Sequence, residues 1–473
     1  MKNITGKIGN LLWGLFVLLL PLTSVPIIVR LAHSDVVAAP SALLLPFLLL
    51  VVGVPVFVSR GKLPDNTSLF ILFVLAALAA TAVSFFYQIP DYKGLDTFRP
   101  AISAVLTLLI GFCFYLVSLL WHNSEKNLEI TFKLLNISGA VVCLWTMAQA
   151  VCWYRFQRYP EWMKNIQFTL SVGSLYRQRF VGFTLEPSWL AHQLNLLYLP
   201  FWFAASVTGY SAFHGRVKFI TVERILFAAG VLVLFLTLSR VGLAAFLLTV
   251  AFALLVFVHF LVKRTAEKFS GSRRRLITVF LYLSIFILLL GAAFLLLWLL
   301  TKLDFRMAGL FSIQAEGRSD PILYIAEKLS LAARFVYWDG GFSIFNAHPL
   351  LGVGLGHAGF YLPGLMNDYA FRLVEVRNLL YRSNTLLTIK SLWIRVLAET
   401  GIVGFIFFFL WYLHSLLGNF CGLSSKNIQM RTAAWLGCFA LIAFLFEGFS
   451  LDTFALPYIW FSVGLSVAAQ ELD

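Results

Sequence analysis

The sequence predicts an all-α protein that crosses a membrane many times. Of its 473 residues, 60% are hydrophobic and only 12% are charged, about half of the charged share of soluble domains. The mean hydropathy is +0.86, which means more apolar surface than a soluble core can bury. The 47 Phe and 13 Trp residues suit helices that face lipid and carry aromatic belts at the membrane surface.

Apolar runs of the length that a bilayer requires, about twenty residues, recur along the chain. We expect about twelve transmembrane helices in a single integral membrane domain over residues 1–473. The predicted helices lie at residues 11–29, 38–58, 68–88, 100–121, 133–154, 186–208, 223–239, 241–262, 276–300, 394–416, 432–450 and 453–470. No small-residue cleavage site follows the first run, which indicates an uncleaved helix and not a signal peptide.

The basic residues of the short connections predict the orientation, because they collect on the cytoplasmic side. They place both termini in the cytoplasm, and they place the long loop between helices 9 and 10, residues 302–393, in the periplasm. The cytoplasmic residues are Lys2, Lys7, Arg60, Lys62, Lys126, Lys133, Arg216, Lys218, Arg224 and those from Lys263 to Arg275. On this topology Asp320 and Asn367 are periplasmic.

Several functional classes lack sequence support. The net charge of +14 does not indicate nucleic acid, because the basic residues stand in short runs that topology explains. The five cysteines form no CxxC pair and are expected to be small apolar residues. Residues 354–359 match GxGxxG, but no βαβ pattern surrounds them, so the glycines are expected in tight turns rather than at a nucleotide. No metal motif is present, and no cofactor is expected.

Arg240 is the sharpest candidate for a functional residue. The phrase Thr237-Leu-Ser-Arg-Val-Gly242 joins two apolar runs without room for a loop, so the guanidinium lies at the outer membrane face or slightly inside it. An ionisable residue there is costly and is a functional candidate by default. Its planar fork suits two-point contact with phosphate. The alternative is an arginine that reaches up to lipid headgroups.

A basic segment on the outward side contains two further candidates. Residues 155–179 indicate either a loop tethered to headgroups or a cationic surface for an anionic ligand. Glu186 precedes Pro187 at a predicted helix start, where a carboxylate favours the positive end of the helix. The alternative to capping is a buried carboxylate that faces a site and pairs with Arg179.

The long loop holds the remaining candidates. Residues 324–345 have helical apolar spacing, and the helix would lie on the outer leaflet with Arg334 toward lipid-borne phosphate or form an ordinary amphipathic surface helix. His348 and His357 flank the glycine run, where each is structural or catalytic. Glu399, at the start of the tenth helix, pairs with the arginine one turn before it or belongs to a site.

Four phrases together resemble the O-antigen ligase and polymerase family of bacterial envelopes. They are residues 179–191, 238–242, 334–356 and 397–404. The resemblance implies a GT-C-like, metal-independent, inverting glycosyltransferase of the bacterial inner membrane, active on the periplasmic side. It implies transfer of a glycan from undecaprenyl pyrophosphate to a glycan or lipid A-core acceptor. The implied partners are these substrates, the lipid bilayer and a chain-length regulator protein, without nucleic acid.

By the same resemblance, Arg240 and Arg334 bind the pyrophosphate, with Arg179 as a third candidate. The chemistry is consistent with these residues, because the charge of a pyrophosphate leaving group grows as the C1–O bond breaks and fixed guanidinium groups stabilise it. The acceptor hydroxyl needs a base, or only positioning if the transition state is dissociative.

The identity of the base is open, because the sequence departs from the family at this point. Ligases of the family have a His shortly before the Leu-Ala-Glu-Thr-Gly phrase. This sequence has Lys390 and Ser391 there or, in a second possible alignment, Ser383 and Asn384, and neither alignment has a His. The candidates for the base are Glu186, Lys390, His348 and Glu399.

Three functions are compatible with the sequence. The Thr-Leu-Glu-Pro-Ser phrase resembles exopolysaccharide and O-antigen polymerases more than ligases, so we favour a polymerase of repeat units over a ligase. The alternative of another class is a secondary transporter. Few acidic residues stand in the middle of the predicted spans, and no pair of broken helices is visible, which argues against transport.

Overall fold

A computed structural model describes residues 2–32, 38–60, 63–213, 220–266, 271–303, 326–327 and 331–472. Over these residues the chain is helical, as the sequence predicts, and contains no β-strand; Ser24 and Ala38 form an isolated bridge. Five residues of the topology prediction lie outside the described residues: Lys62, Arg216, Lys218, Lys268 and Asp320.

The helices follow one another with short connections. In chain order they are α1 (Lys2–Leu19), α2 (Pro26–Ala32), α3 (Pro40–Leu48), a π-turn (Leu49–Gly53), α4 (Val54–Arg60), α5 (Asp65–Ser84), α6 (Phe98–Trp121), α7 (Glu125–Phe156), α8 (Glu161–Leu170), α9 (Pro187–Gln193), a second π-turn (Leu194–Tyr198), α10 (Leu199–Thr208), α11 (Val222–Thr237), α12 (Arg240–Ala266), α13 (Gly271–Leu303), α14 (Ala332–Ala347), α15 (Ala358–Leu365), a 3-10 turn (Ala370–Arg372), α16 (Val374–Arg382), α17 (Leu392–Gly422), α18 (Ile428–Glu447) and α19 (Tyr458–Gln470).

Seven of the described helices are long and apolar enough to cross a membrane: α5, α6, α7, α12, α13, α17 and α18. Shorter or interrupted helices cover the other predicted segments. The predicted helix 11–29 breaks after Leu19 and resumes as α2, and the last predicted helix begins at Tyr458 instead of residue 453. The structure therefore gives an all-helical membrane protein, while the number of twelve spans and the sides of the termini stay predictions.

Consecutive long helices alternate in direction, so their ends collect at opposite ends of the bundle. Where α5 ends and α6 begins, the carbonyl of Thr97 lies 3.1 Å from His357 Nε2 in the long loop. Where α18 ends and α17 begins, the N–H of Leu392 donates to the carbonyl of Gly448 at 2.7 Å. α9 and α12 begin at this same end, and we call it the loop-bearing end. All candidate residues lie there.

The core of the bundle is aromatic. The ring of Trp411 on α17 lies 4.8 Å from Phe70 of α5 and 5.6 Å from Trp460 of α19, measured between centroids. A Cβ added to Gly464 of α19 would lie 2.5 Å from the carbonyl oxygen of Tyr115 on α6, so these helices touch backbone to backbone. Small residues at such contacts let membrane helices gain packing energy that lipid cannot supply.

The described part of the long loop has a hydrophobic core of its own. It includes Tyr337 and Ile344 of α14, and it extends to Tyr92 before α6 and to Ala398 of α17. Of the helix that the sequence predicts over 324–345, the part from Ala332 is observed as α14, which continues to Ala347; residues 324–325 and 328–330 lie outside the description. The loop is thus anchored on the bundle by a shared core.

Candidate functional site

The glycine-rich part of the long loop docks into a break in α17. The N–H groups of Val353 and Gly354 donate to the carbonyls of Ala398 (3.1 Å) and Glu399 (2.9 Å). Beyond the break, the N–H of Ile402 donates to the Pro349 carbonyl at 2.8 Å, and that of Val403 donates to Leu350 at 3.3 Å. The loop therefore supplies hydrogen-bond partners for the backbone groups of α17 that have none within the helix at the break. The buried backbone groups on both sides are thus satisfied.

Glycine is required at both sides of this junction. Gly401 has φ +60°, and an added Cβ would meet the Leu350 carbonyl oxygen at 2.3 Å. Gly352 has φ +67° and faces the backbone of Ala398 and Glu399 equally closely. Only glycine adopts this left-handed region without strain and allows two backbones to approach so far. The GxGxxG match is thus a docking segment of tight turns.

Glu399 lies at the centre of the junction. Arg395, one turn earlier on α17, donates from Nε to Glu399 Oε2 at 2.9 Å. The same guanidinium also donates to the carbonyl of Asp452. The ring of His357 is buried beside the junction, with Nδ1 2.9 Å from the Ser84 hydroxyl oxygen. Glu399 and its partners therefore tie the loop, α17 and the segment before α19 together.

His348 and Lys390 lie apart from the Arg395–Glu399 ion pair. The ring of His348 lies between Tyr87 and Tyr361, with centroids 5.6 Å and 5.5 Å away. Lys390 is half-buried with φ +60°, immediately after Ile389, which packs against Gly341 of α14. The structure thus distributes the four candidate bases over separate positions and does not assemble them.

Arg179, Glu186 and Arg240 form what we call the arginine corner. Arg179 donates from Nε to the carbonyl of Thr237 at 3.2 Å, three residues before Arg240. A Cβ added to Gly242 would lie 2.6 Å from Ala191 Cβ, so α9 and α12 start side by side.

The electrostatics around Tyr176 support this proximity. Burial raises the pKa of Tyr176, the carboxylate of Glu186 adds to the rise, and the guanidinium of Arg179 opposes it. Both charges therefore act on one hydroxyl group. Glu186 is half-buried at the N-cap position of α9, where it accepts a hydrogen bond from the Ser188 hydroxyl.

A buried glutamine fixes the segment that carries Arg179 and Glu186. The side-chain oxygen of Gln149 on α7 accepts from the N–H groups of Val181 (3.3 Å) and Gly182 (3.1 Å). Its amide nitrogen donates back to the Gly182 carbonyl at 3.0 Å. Because Gln149 lies on a long helix, the corner is attached to a rigid element.

Just inside the arginine corner is a buried polar triad that the sequence interpretation missed. His192 Nδ1 lies 2.6 Å from Glu447 Oε2, and Asn195 donates to Glu447 Oε1 at 2.6 Å. Asn195 also donates to the Gly242 carbonyl at 2.7 Å. The side chains of His192 and Glu447 are 1% and 0% exposed. The sequence signal that could have indicated this triad is an ionisable residue, His192 or Glu447, inside each of two apolar spans.

Arg334 lies on α14, which packs against α17 and reaches Phe449 just after the end of α18. Its Nη1 atom is buried and has no hydrogen-bond acceptor among the residues that the structure describes, and the same holds for Nε1 of Trp338 one turn later. The ring of Trp338 lies 5.4 Å from that of Phe449, two residues after Glu447. A chain of contacts thus runs from the arginine corner through the triad to α14.

A family comparison matches part of the chain. Residues 225–409 match the family model described as O-antigen ligase. The match includes Arg240, Arg334 and the docked junction around Glu399, while Arg179 and Glu186 precede it. A comparison with curated proteins finds no match.

Proposed function

Because the chain carries a domain of the O-antigen ligase family, we propose that it is a membrane glycosyltransferase for lipid-linked glycans. The donor is an oligosaccharide on undecaprenyl pyrophosphate, and the acceptor is a second glycan at the periplasmic face. The arginine corner carries the proposal, because it holds two guanidinium groups and a carboxylate where two helices begin. A basic pair of this kind suits an anionic leaving group.

The arginines act on the leaving group. As the C1–O bond of the donor sugar breaks, negative charge develops on the pyrophosphate, and Arg179 and Arg240 stabilise it from fixed positions. Arg334 adds a third guanidinium from α14, since its buried nitrogen is without an acceptor among the described residues. An anionic oxygen of the ligand would satisfy that nitrogen.

Glu186 positions the acceptor. Of the four candidate bases it is the one beside two of the arginines, while Glu399 is engaged by Arg395 and His348 lies between tyrosine rings. Its carboxylate accepts a hydrogen bond from an acceptor hydroxyl and holds that oxygen opposite the leaving group. Positioning of this kind contributes to catalysis without a change in the chemistry.

We favour polymerisation of O-antigen or exopolysaccharide repeat units, on the Thr-Leu-Glu-Pro-Ser phrase that forms the start of α9. The O-antigen ligase description of the matched family favours the second candidate, transfer of a finished glycan to lipid A-core. Both reactions use the same donor linkage and differ in the acceptor.

Purified protein in liposomes distinguishes these reactions. The donor is the lipid-linked oligosaccharide that accumulates in cells from which the gene is deleted. A ladder of longer lipid-linked products supports the polymerase, and glycan on added lipid A-core supports the ligase. Unchanged donor with both acceptors, in protein that is folded and monodisperse, contradicts the proposed function.

A further inference from the structure

The His192–Glu447 pair has the geometry of an oriented base. A carboxylate only accepts hydrogen bonds, so the 2.6 Å contact to Glu447 Oε2 places the ring proton on His192 Nδ1. In the neutral imidazole Nε2 then carries the lone pair, and this atom makes no hydrogen bond to any residue in the described part of the chain. The side-chain amide of Asn195 donates a hydrogen bond to the other carboxylate oxygen, Glu447 Oε1, at 2.6 Å. A carboxylate that fixes the tautomer and ring orientation of an imidazole is the arrangement that activates a hydroxyl nucleophile.

The His192–Glu447 pair is expected to contribute little to the stability of the fold. A buried acid and imidazole lose their hydration, and their mutual attraction seldom exceeds that loss. Ionisable side chains inside membrane domains are accordingly rare and mark functional positions. The pair joins residues 255 positions apart in sequence, so it forms only in the folded protein.

A polar stripe connects the pair with the arginine corner. Ser188 and His192 are one turn apart on α9 and therefore share a face. Helical side chains lean toward the N-terminus, which on α9 is the direction of Ser188 and Glu186. Ser188 is half-buried, and its hydroxyl donates to Glu186 at the N-cap. From the opposite side, Asn195 binds the carbonyl of Gly242, two residues after Arg240.

We propose that His192, oriented by Glu447 and Asn195, is the general base of the transfer; this inference rests on the proposed function. His192 Nε2 takes the proton of the acceptor hydroxyl as its O–H bond breaks. The hydroxyl oxygen forms the bond to the anomeric carbon, and the C1–O bond electrons leave with the pyrophosphate. The imidazolium that results lies against the Glu447 carboxylate. The base is therefore on α9 in the bundle and not in the long loop.

The test uses full-length protein in liposomes, with the same lipid-linked oligosaccharide and a glycan acceptor. His192→Gln keeps an amide donor for Glu447 but has no basic nitrogen. We expect kcat to fall at least about 100-fold, the range of general base catalysis, with KM and binding of undecaprenyl pyrophosphate within about threefold. In His192→Ala, added imidazole restores part of the lost kcat. His414→Gln, an exposed histidine on α17, is the matched control and keeps full activity.

Three results of these measurements would overturn the assignment of His192 as the general base. Turnover by wild-type protein with an unaffected His192→Gln overturns this inference and leaves the proposed function intact. Equal loss of kcat and pyrophosphate binding, without rescue by imidazole, shows a structural pair and also overturns it. Wild-type protein that binds undecaprenyl pyrophosphate but transfers no glycan overturns the proposed function and this inference with it.

Discussion

At the scale of the residue, the site depends on charges whose positions the backbone fixes. Arg179 is bound to the end of α11, and Arg240 begins α12 three residues after that end. Gly242 N–H donates to the Ser239 hydroxyl at 3.3 Å, a capping contact that defines where α12 starts. Arg240 is therefore placed by the start of a helix, and Arg179, in the connection between α8 and α9, is held by a hydrogen bond to the end of another.

Arg240→Lys should lower kcat/KM at least about tenfold, because lysine keeps the charge but loses the two-pronged contact with phosphate. Charge-assisted hydrogen bonds of this kind contribute about 1.5–3 kcal/mol each. The measurement is initial transfer rate in liposomes at equal protein content. Arg275→Lys, exposed on α13 at the opposite end, is the control. Wild-type activity in Arg240→Lys would mean that the side chain only anchors a helix end.

Glu186→Gln should raise KM for the acceptor glycan about tenfold and change KM for the lipid-linked donor little, because the carboxylate positions the acceptor and not the pyrophosphate. Varying each substrate separately in the transfer assay gives both constants. Glu161→Gln in the neighbouring α8, an exposed carboxylate paired with Lys164, should leave both unchanged. A rise in donor KM alone would contradict the assigned role.

The sequence singles out some of the residues proposed for the site and not others, for a physical reason. Arg179, Glu186 and Arg240 are charged residues beside apolar runs, so hydropathy alone marks them as unusual. His192 and Glu447 are each single polar residues inside a span, and their significance comes from a contact that only the folded bundle makes. No spacing rule connects two such residues.

At the scale of the element, the break in α17 shows what patterns predict and what they do not. The apolar run predicts a continuous tenth helix, and the glycines predict tight turns. Both features are present, since α17 spans Leu392–Gly422 and Gly401 interrupts it with φ +60°. The sequence contains no signal that residues 349–354 fill the interruption, because hydrogen bonds between backbone groups do not depend on side-chain identity.

Gly401→Ala should destabilise the protein, because an alanine at φ +60° is strained and its Cβ would contact the Leu350 carbonyl at 2.3 Å. Backbone strain alone amounts to about 1–3 kcal/mol. We expect Tm in detergent to fall by several degrees and the glycine-rich loop to become susceptible to protease. Gly364→Ala, where no atom lies within 4 Å of an added Cβ, should retain the wild-type Tm. An unchanged Tm in Gly401→Ala would show that the junction adds little stability.

At the scale of the whole molecule, composition predicts the class of fold and alternation of the helices predicts its layout. Hydropathy located every long helix. It placed some boundaries wrongly where a span is broken, as between Leu19 and Pro26, or where a non-helical segment precedes a helix, as between Glu447 and Tyr458. Average hydropathy over about twenty residues smooths over such interruptions, so the count of spans is less reliable than the class.

The predicted topology can be tested with single cysteines in a variant that lacks the five native ones. Asn367→Cys, exposed after α15, should react with an impermeant maleimide added to intact spheroplasts, and Lys126→Cys, exposed at the start of α7, should react only after lysis. The reason is the cytoplasmic bias of basic residues in short connections. The opposite labelling pattern would place the site in the cytoplasm, where no periplasmic glycan could reach it.

The docked break in α17 also bears on how the chain enters the membrane. The part of α17 beyond Gly401 still has about twenty residues, the length that a bilayer requires, so the translocation machinery can insert it alone. The first turns, with the Arg395–Glu399 pair, can then join the helix from the aqueous side. Residues 349–354 bind both sides of the break at Gly401, so we expect them to dock only after α17 has been inserted. On this order of events the charged pair becomes buried without passing through lipid.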